Sequence, residues 1–166
     1  MEDGVGVTGM DPVSWIPFAA AALHLTEEFA WPGGFIAWYR WYRQDYAAAI
    51  TRPFIVGVNV LLVAMTIVTG IAGNTPRGSA LWLTLAALLG INGVWHLQAT
   101  VRGRRYSPGV VTGILLYVPM AVGGFTWMLS IGRATAGTAL TSAATGAAYW
   151  IWSEWRKRRV EASRVP

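Results

Sequence analysis

His24 and His96 are the only histidines of this 166-residue chain, and both fall inside apolar stretches. Glu27 and Glu28 are the acidic residues that share that setting. Imidazoles and carboxyls exchange protons near neutral pH and ligate metals. A charge placed in hydrocarbon costs several kcal/mol, so an ionisable group there marks a functional position. From His24, Glu27 and Glu28 lie three and four positions on, which on a helix gathers all three within an arc of about 100°. Asn92 and His96 are likewise one turn apart, with Trp95 between them in sequence.

These types fit three chemistries. The preferred one needs no metal or cofactor. In it Glu27 and Glu28, tuned by His24, His96 and Asn92, protonate and deprotonate a lipophilic isoprenoid- or sterol-like substrate and leave a shifted double bond or a closed ring. Two neighbouring carboxyls in a low dielectric do not both ionise easily, so one is expected to hold the proton. Trp15, Trp31, Trp95 and Trp150 would steady a carbocation with their faces. The second is a divalent metal site, zinc or non-haem iron, on His24, Glu28 and His96. The third is a non-catalytic lipophile-binding or accessory protein, with transport requiring a homo-oligomer. A plainer alternative for the same residues is a hydrogen-bond network that only joins helices.

The elements that must position these groups read as membrane helices. The chain is 54% hydrophobic and 13% charged, against about a quarter charged in a soluble domain. Its ten Trp and six Tyr suit the headgroup level of a bilayer. Five apolar segments are predicted at about 12–30, 53–72, 79–100, 108–129 and 137–152, forming one all-α membrane domain. Trp31-Pro32-Gly33-Gly34 stops the first, Thr51 caps the second, and Asn74-Thr75-Pro76 closes it. A separate aromatic and basic stretch, 35–46, reads as an interfacial amphipathic helix, either a belt anchor or a lid.

The loop charges set the topology. Arg40, Arg43 and Arg52, then Arg102, Arg104 and Arg105, then Arg156, Lys157, Arg158, Arg159 and Arg164 alternate with loops holding Arg77 and Arg133 alone. That alternation predicts five spans in a bacterial inner membrane, with the N-terminus outside and the C-terminus cytoplasmic. Residues 1–11 carry Glu2, Asp3 and Asp11 without a basic stretch, so no signal peptide is expected. The net charge of +5 is a topology signal and not a nucleic-acid patch. With no cysteine, thiolate chemistry is excluded. Gly103 and Gly123-Gly124 do not form a phosphate cradle. In this topology His24 and His96 both lie roughly 9 Å below the cytoplasmic boundary. Asn59 lies at a similar depth and Thr112 slightly shallower, and this places all four around one substrate site.

The run His24-Leu25-Thr26-Glu27-Glu28 resembles the signature of the HXXEE family of small membrane proteins, a group of unknown function. Asn92-x-x-x-His96 and Tyr106-Ser107-Pro108-Gly109-x-x-Thr112 resemble its other recurring blocks, which implies that Tyr106 and Thr112 also belong to the site. A looser likeness is to the emopamil-binding (EXPERA) sterol isomerases, small helical bundles with a His and Glu one turn apart and an Asn-x-x-Trp pair. His24/Glu28 and Asn92/Trp95 are similar to those pairs.

Overall fold

The computed structural model describes residues 11–47 and 49–163, and all regular elements among them are helical. Residues 1–10, with Glu2 and Asp3, and residues 164–166, with Arg164, lie outside the described residues. Six helices follow in order: α1 (Ile16–Phe29), α2 (Phe35–Tyr42), α3 (Arg52–Ala72), α4 (Pro76–Gly103), α5 (Val110–Ser130) and α6 (Ala136–Ala162). A 3-10 turn, Pro12–Trp15, leads into α1. Three of the helices, α3, α4 and α5, are long and apolar enough to cross a membrane.

Local chemistry sets the starts. Thr51 and Thr75 accept the Phe54 and Gly78 amides at 3.3 and 3.0 Å, and a proline follows each in the first turn of α3 and α4. The boundaries differ from the sequence reading in several places, α4 running from Pro76 to Gly103 where about 79–100 is predicted. The stretch 35–46 is not one helix: α2 ends at Tyr42, and a separate 3-10 turn spans Gln44–Tyr46. Arg43 breaks it, at φ −119° and ψ 66°, with its guanidinium turned onto Asp45 at 2.9 Å. The fourth segment starts at Val110, after Gly109 at φ +99°. The fifth continues past 152 through the basic tail to Ala162. Contacts one turn apart support that extension, with Lys157 on Glu154 at 2.7 Å and Arg159 over the Trp155 ring at 4.3 Å.

Helix α4 is the axle, packed against α1, α3, α5 and α6. Ser142 donates to the Ala80 carbonyl at 3.0 Å and Trp150 to the Leu88 carbonyl at 3.1 Å. Each α4 residue therefore lies beside the α6 residue 62 positions later, and the two helices run parallel. Against α5, Gly93 meets Gly113 backbone to backbone, and a Cβ on Gly93 would lie 2.5 Å from the Gly113 carbonyl oxygen. Small residues permit that approach, which substitutes for hydrophobic drive where lipid is the solvent. Trp82, Leu83, Leu89, Tyr117 and Met128 fill the centre, while Val60, Ile71, Leu115, Val122, Leu140 and Ile151 face outward.

Candidate functional site

The site is built where the last turns of α1 and α4 meet the start of α5. Helical spacing puts His24, Glu27 and Glu28 on the buried side of α1, as their sequence positions predict. The two glutamates then part company. Glu27 reaches the N-terminus of α5. Its Oε1 accepts the Val111 amide at 3.0 Å and the Tyr106 hydroxyl at 2.5 Å, and its Oε2 accepts the Thr112 amide at 2.7 Å and the Thr112 hydroxyl at 2.5 Å. A helix N-terminus presents unpaired amides and a positive dipole end, so a carboxylate is its natural partner.

Glu28 turns the other way, between two imidazoles. Its Oε1 lies 3.4 Å from His24 Nε2 and 3.2 Å from His96 Nε2. The far nitrogens of both rings are anchored. His24 Nδ1 is 2.9 Å from the Thr112 hydroxyl, and His96 Nδ1 is 2.9 Å from the Ser107 hydroxyl, whose backbone amide donates to Thr100 Oγ1 at 3.2 Å.

These bonds fix a tautomer. Thr112 has a single hydroxyl proton, and it goes to Glu27 Oε2. The same oxygen can then only accept, so His24 Nδ1 carries the N–H. The Nε2 of a neutral His24 is consequently a bare lone pair, and it faces a carboxylate oxygen. Although close, neither Nε2 meets Glu28 with hydrogen-bond geometry. Two electron-rich atoms in that relation need a proton or a cation with them. The three donor atoms, one each from His24, Glu28 and His96, lie within 4.8 Å of one another, which is also a spacing that can hold a metal.

Gly109 makes room for this. Its φ of +99° suits glycine, and a Cβ there would sit 2.8 Å from the Cε1 of both His24 and His96. The loop just before α5 thus closes over both rings, while α5 itself supplies Thr112.

Glu28 and His24 form part of the wall of a cavity of about 380 Å³ lined by residues of α1 to α6. Trp95, Asn92 and Asn59 line it too, as do Phe35 and Tyr39 of α2. Leu61, Leu62, Met65, Leu85, Leu88 and Leu89 make most of the rest of its wall apolar, with Thr84, Thr145 and Ser153 among them. Across it stands Lys157, level with Trp95 in the α4/α6 register and bonded to Glu154 at 2.7 Å and to the Tyr39 hydroxyl at 3.2 Å.

Of the residues predicted from sequence, His24, Glu28, Asn92, Trp95 and Asn59 share the cavity wall, and His96 stands behind Glu28. Glu27, Tyr106 and Thr112 form the anchor on the far side. Trp31 is 81% exposed at the end of α1 and touches neither group. Sequence reasoning missed Tyr117. Its ring lies 4.4 Å from that of His24, and its hydroxyl is buried. The signal available was a tyrosine well inside an apolar span, where that residue type usually keeps to the interface.

The family model described as "Protein of unknown function with HXXEE motif" matches residues 15–123. No curated protein and no solved structure matches the chain.

Proposed function

We propose that this chain, which belongs to the HXXEE family, is a membrane-embedded acid–base enzyme that isomerises or cyclises a lipophilic, isoprenoid- or sterol-like substrate. The observation that carries the reading is Glu28: a buried carboxyl at the wall of an apolar cavity, with two imidazole nitrogens at 3.2 and 3.4 Å as its polar neighbours. The bare Nε2 of His24 gives that group a place to exchange a proton. Delivered from Glu28 to an alkene carbon of a bound substrate, the proton leaves a carbocation on the adjacent carbon. The aromatic faces of Phe35, Tyr39, Trp95 and Tyr117 surround the space where it would form. Loss of a proton from a neighbouring carbon back to the Glu28 carboxylate gives a shifted double bond. Attack by a second double bond before that loss gives a ring. The proton is returned in either case, so the cycle balances without a co-reactant.

In this reading the chain crosses the membrane five times, in a bacterial inner membrane with the N-terminus outside and the C-terminus cytoplasmic. To the three long apolar helices it adds α1 and α6. The Pro12–Trp15 turn and α1 together reach about 29 Å, close to the roughly 30 Å of a hydrocarbon core. The alternating basic loops support the orientation.

Purified protein incubated with host membrane lipids in D₂O tests the chemistry. Mass spectrometry should find an isomerised lipid carrying deuterium, formed by the wild type and not by Glu28→Gln. Equal labelling by both proteins would sink the reading. A second reading, a zinc or non-haem iron enzyme on His24, Glu28 and His96, is favoured by the convergence of the three donors within 4.8 Å. Elemental analysis decides it: stoichiometric metal lost on His96→Ala supports it, and turnover by metal-free protein removes it.

A further inference from the structure

Besides the Nε2 of His24 already described, two buried polar atoms of the cavity wall have no partner among the described residues: the Oδ1 of Asn92 and the hydroxyl of Tyr117. Tyr117 is fully buried, at 0% exposure, and it is aimed by a single π-helical turn, Gly113–Tyr117, in α5. Such turns insert a residue into the helix and rotate the side chains beyond it, and they recur at functional sites. Leaving polar groups unpaired in an apolar interior is costly, so each points to a ligand group that completes it.

The two needs differ. Asn92 Oδ1 is an acceptor and requires a donor. The Tyr117 phenol has a proton to give and requires an acceptor. An ether, epoxide or ketone oxygen answers only the second, and so does a carboxylate, which would also lie against Glu28. An ammonium answers only the first. A hydroxyl answers both, donating to Asn92 and accepting from Tyr117. The rest of the cavity asks for hydrocarbon. Thr84 and Trp95 both line it on α4, eleven positions apart, so it extends about 16 Å along the bundle. Its walls over that length are mostly leucine, methionine, isoleucine and valine side chains, with Asn59, Thr84, Thr145 and Ser153 among them.

We propose that the cavity takes a lipid alcohol, whose hydroxyl is held between Asn92 and Tyr117 beside the Glu28 cluster and whose tail lies along α3, α4 and α6. This rests on the cavity being the substrate site and names its substrate class. It makes Asn92 and Tyr117 the residues that set specificity. It also places the hydroxyl close to the proton-transfer group, because the Tyr117 ring packs on His24.

The test is a binding comparison with farnesol and farnesyl methyl ether, which share a tail but differ in the ability to donate a hydrogen bond. Protein in lipid nanodiscs reports binding through Trp95 and Trp150, which line the cavity. The wild type should bind the alcohol about 10- to 100-fold more tightly than the ether. Asn92→Leu should erase that preference while leaving the ether's affinity unchanged, whereas Tyr117→Phe should weaken both probes, since either oxygen can accept from the phenol. Equal affinities in the wild type, or no binding of either probe, would overturn the proposal without need of a variant. So would a preference that survives Asn92→Leu, or a Tyr117→Phe variant that binds both probes as the wild type does, the result if the two groups are served by water alone. The same comparison in Glu28→Gln separates this inference from the enzymatic reading. A preference that persists there while deuterium labelling is never seen keeps the alcohol site and discards the chemistry. Labelling by the wild type without a preference does the reverse.

Discussion

Glu27 and Glu28 are neighbours in the chain, yet the anchor at the α5 N-terminus and the cavity wall treat them in opposite ways. Glu27 is surrounded by four donors, two of them backbone amides, and the bonds tie the end of α1 to the start of α5. Glu28 has two imidazoles at 3.2 and 3.4 Å and an apolar cavity in front of it. A carboxylate saturated with donors holds structure together and has little reason to trade its proton. A carboxyl whose neighbours can give and take protons is suited to chemistry. The difference also divides labour between His24 and Thr112, because the hydroxyl of Thr112 carries the influence of Glu27 to the ring that faces Glu28.

Substituting each glutamate by glutamine should expose this division most strongly. Glu28→Gln removes the exchangeable proton with almost no change of shape, so turnover should fall by about 10²- to 10⁴-fold. Its thermal midpoint in detergent should stay close to that of the wild type. Glu27→Gln should act inversely. It sets an amide N–H₂ among four donors and removes the charge opposite a helix end, at about 3 kcal/mol. The expected result is a clear drop in thermal midpoint, with the surviving folded protein still able to turn over. If Glu27→Gln kept its stability and lost all activity, the assignment of roles would have to be exchanged.

How the sequence relates to this picture depends on which residue is asked about. The face shared by His24, Glu27 and Glu28 was legible because helical periodicity is a local property. The proximity of His96 agrees with the expectation drawn from the loop charges, which set the two histidines at a similar depth. The contrast between the glutamates was not. It depends on the start of α5 arriving beside Glu27, which the left-handed Gly109 and the Gly93–Gly113 contact arrange from more than 60 residues away in sequence. The break at Arg43 was hidden for a similar reason, since aromatic and basic spacing continues through it while a short-range Asp45 contact turns the chain. Tyr117 stayed hidden because a π-helical turn shifts its direction away from the one that α-helical spacing gives.

Thr112 is the link between the two environments, so its removal should give an intermediate effect. Thr112→Val keeps the shape, leaves Glu27 with one donor fewer and strips the His24 N–H of its acceptor, a loss of about 1–2 kcal/mol in stability. A purely structural residue would do no more than that. As a positioning residue Thr112 should also free the His24 tautomer, lowering kcat by about tenfold at constant KM and moving the pH–rate profile. Thr112→Ser should restore both kcat and the profile. A variant series in which only the thermal midpoint changed would confine Thr112 to the anchor.

The smallest effect concerns Tyr106, which is partly exposed in the loop before α5 and bonds Glu27 from outside. Burial, and then the hydrogen bond and charge of Glu27, hold its phenol above the usual range. A raised value in the folded state means that the native protein keeps this proton longer than the unfolded chain does. The Tyr106 contribution to stability is therefore complete below the unfolded value of about 10 and drains away as the pH climbs beyond it. Other tyrosines also titrate there, so the informative quantity is the difference in unfolding midpoint between the wild type and Tyr106→Phe. That difference should be small and constant from neutral pH up to about pH 9, then shrink toward zero at higher pH. A difference that is flat through the alkaline range would mean that Tyr106 does not share a proton-donating bond with Glu27. The anchor would then rest on the α5 amides and Thr112 alone, and the contrast with Glu28 would narrow by one donor.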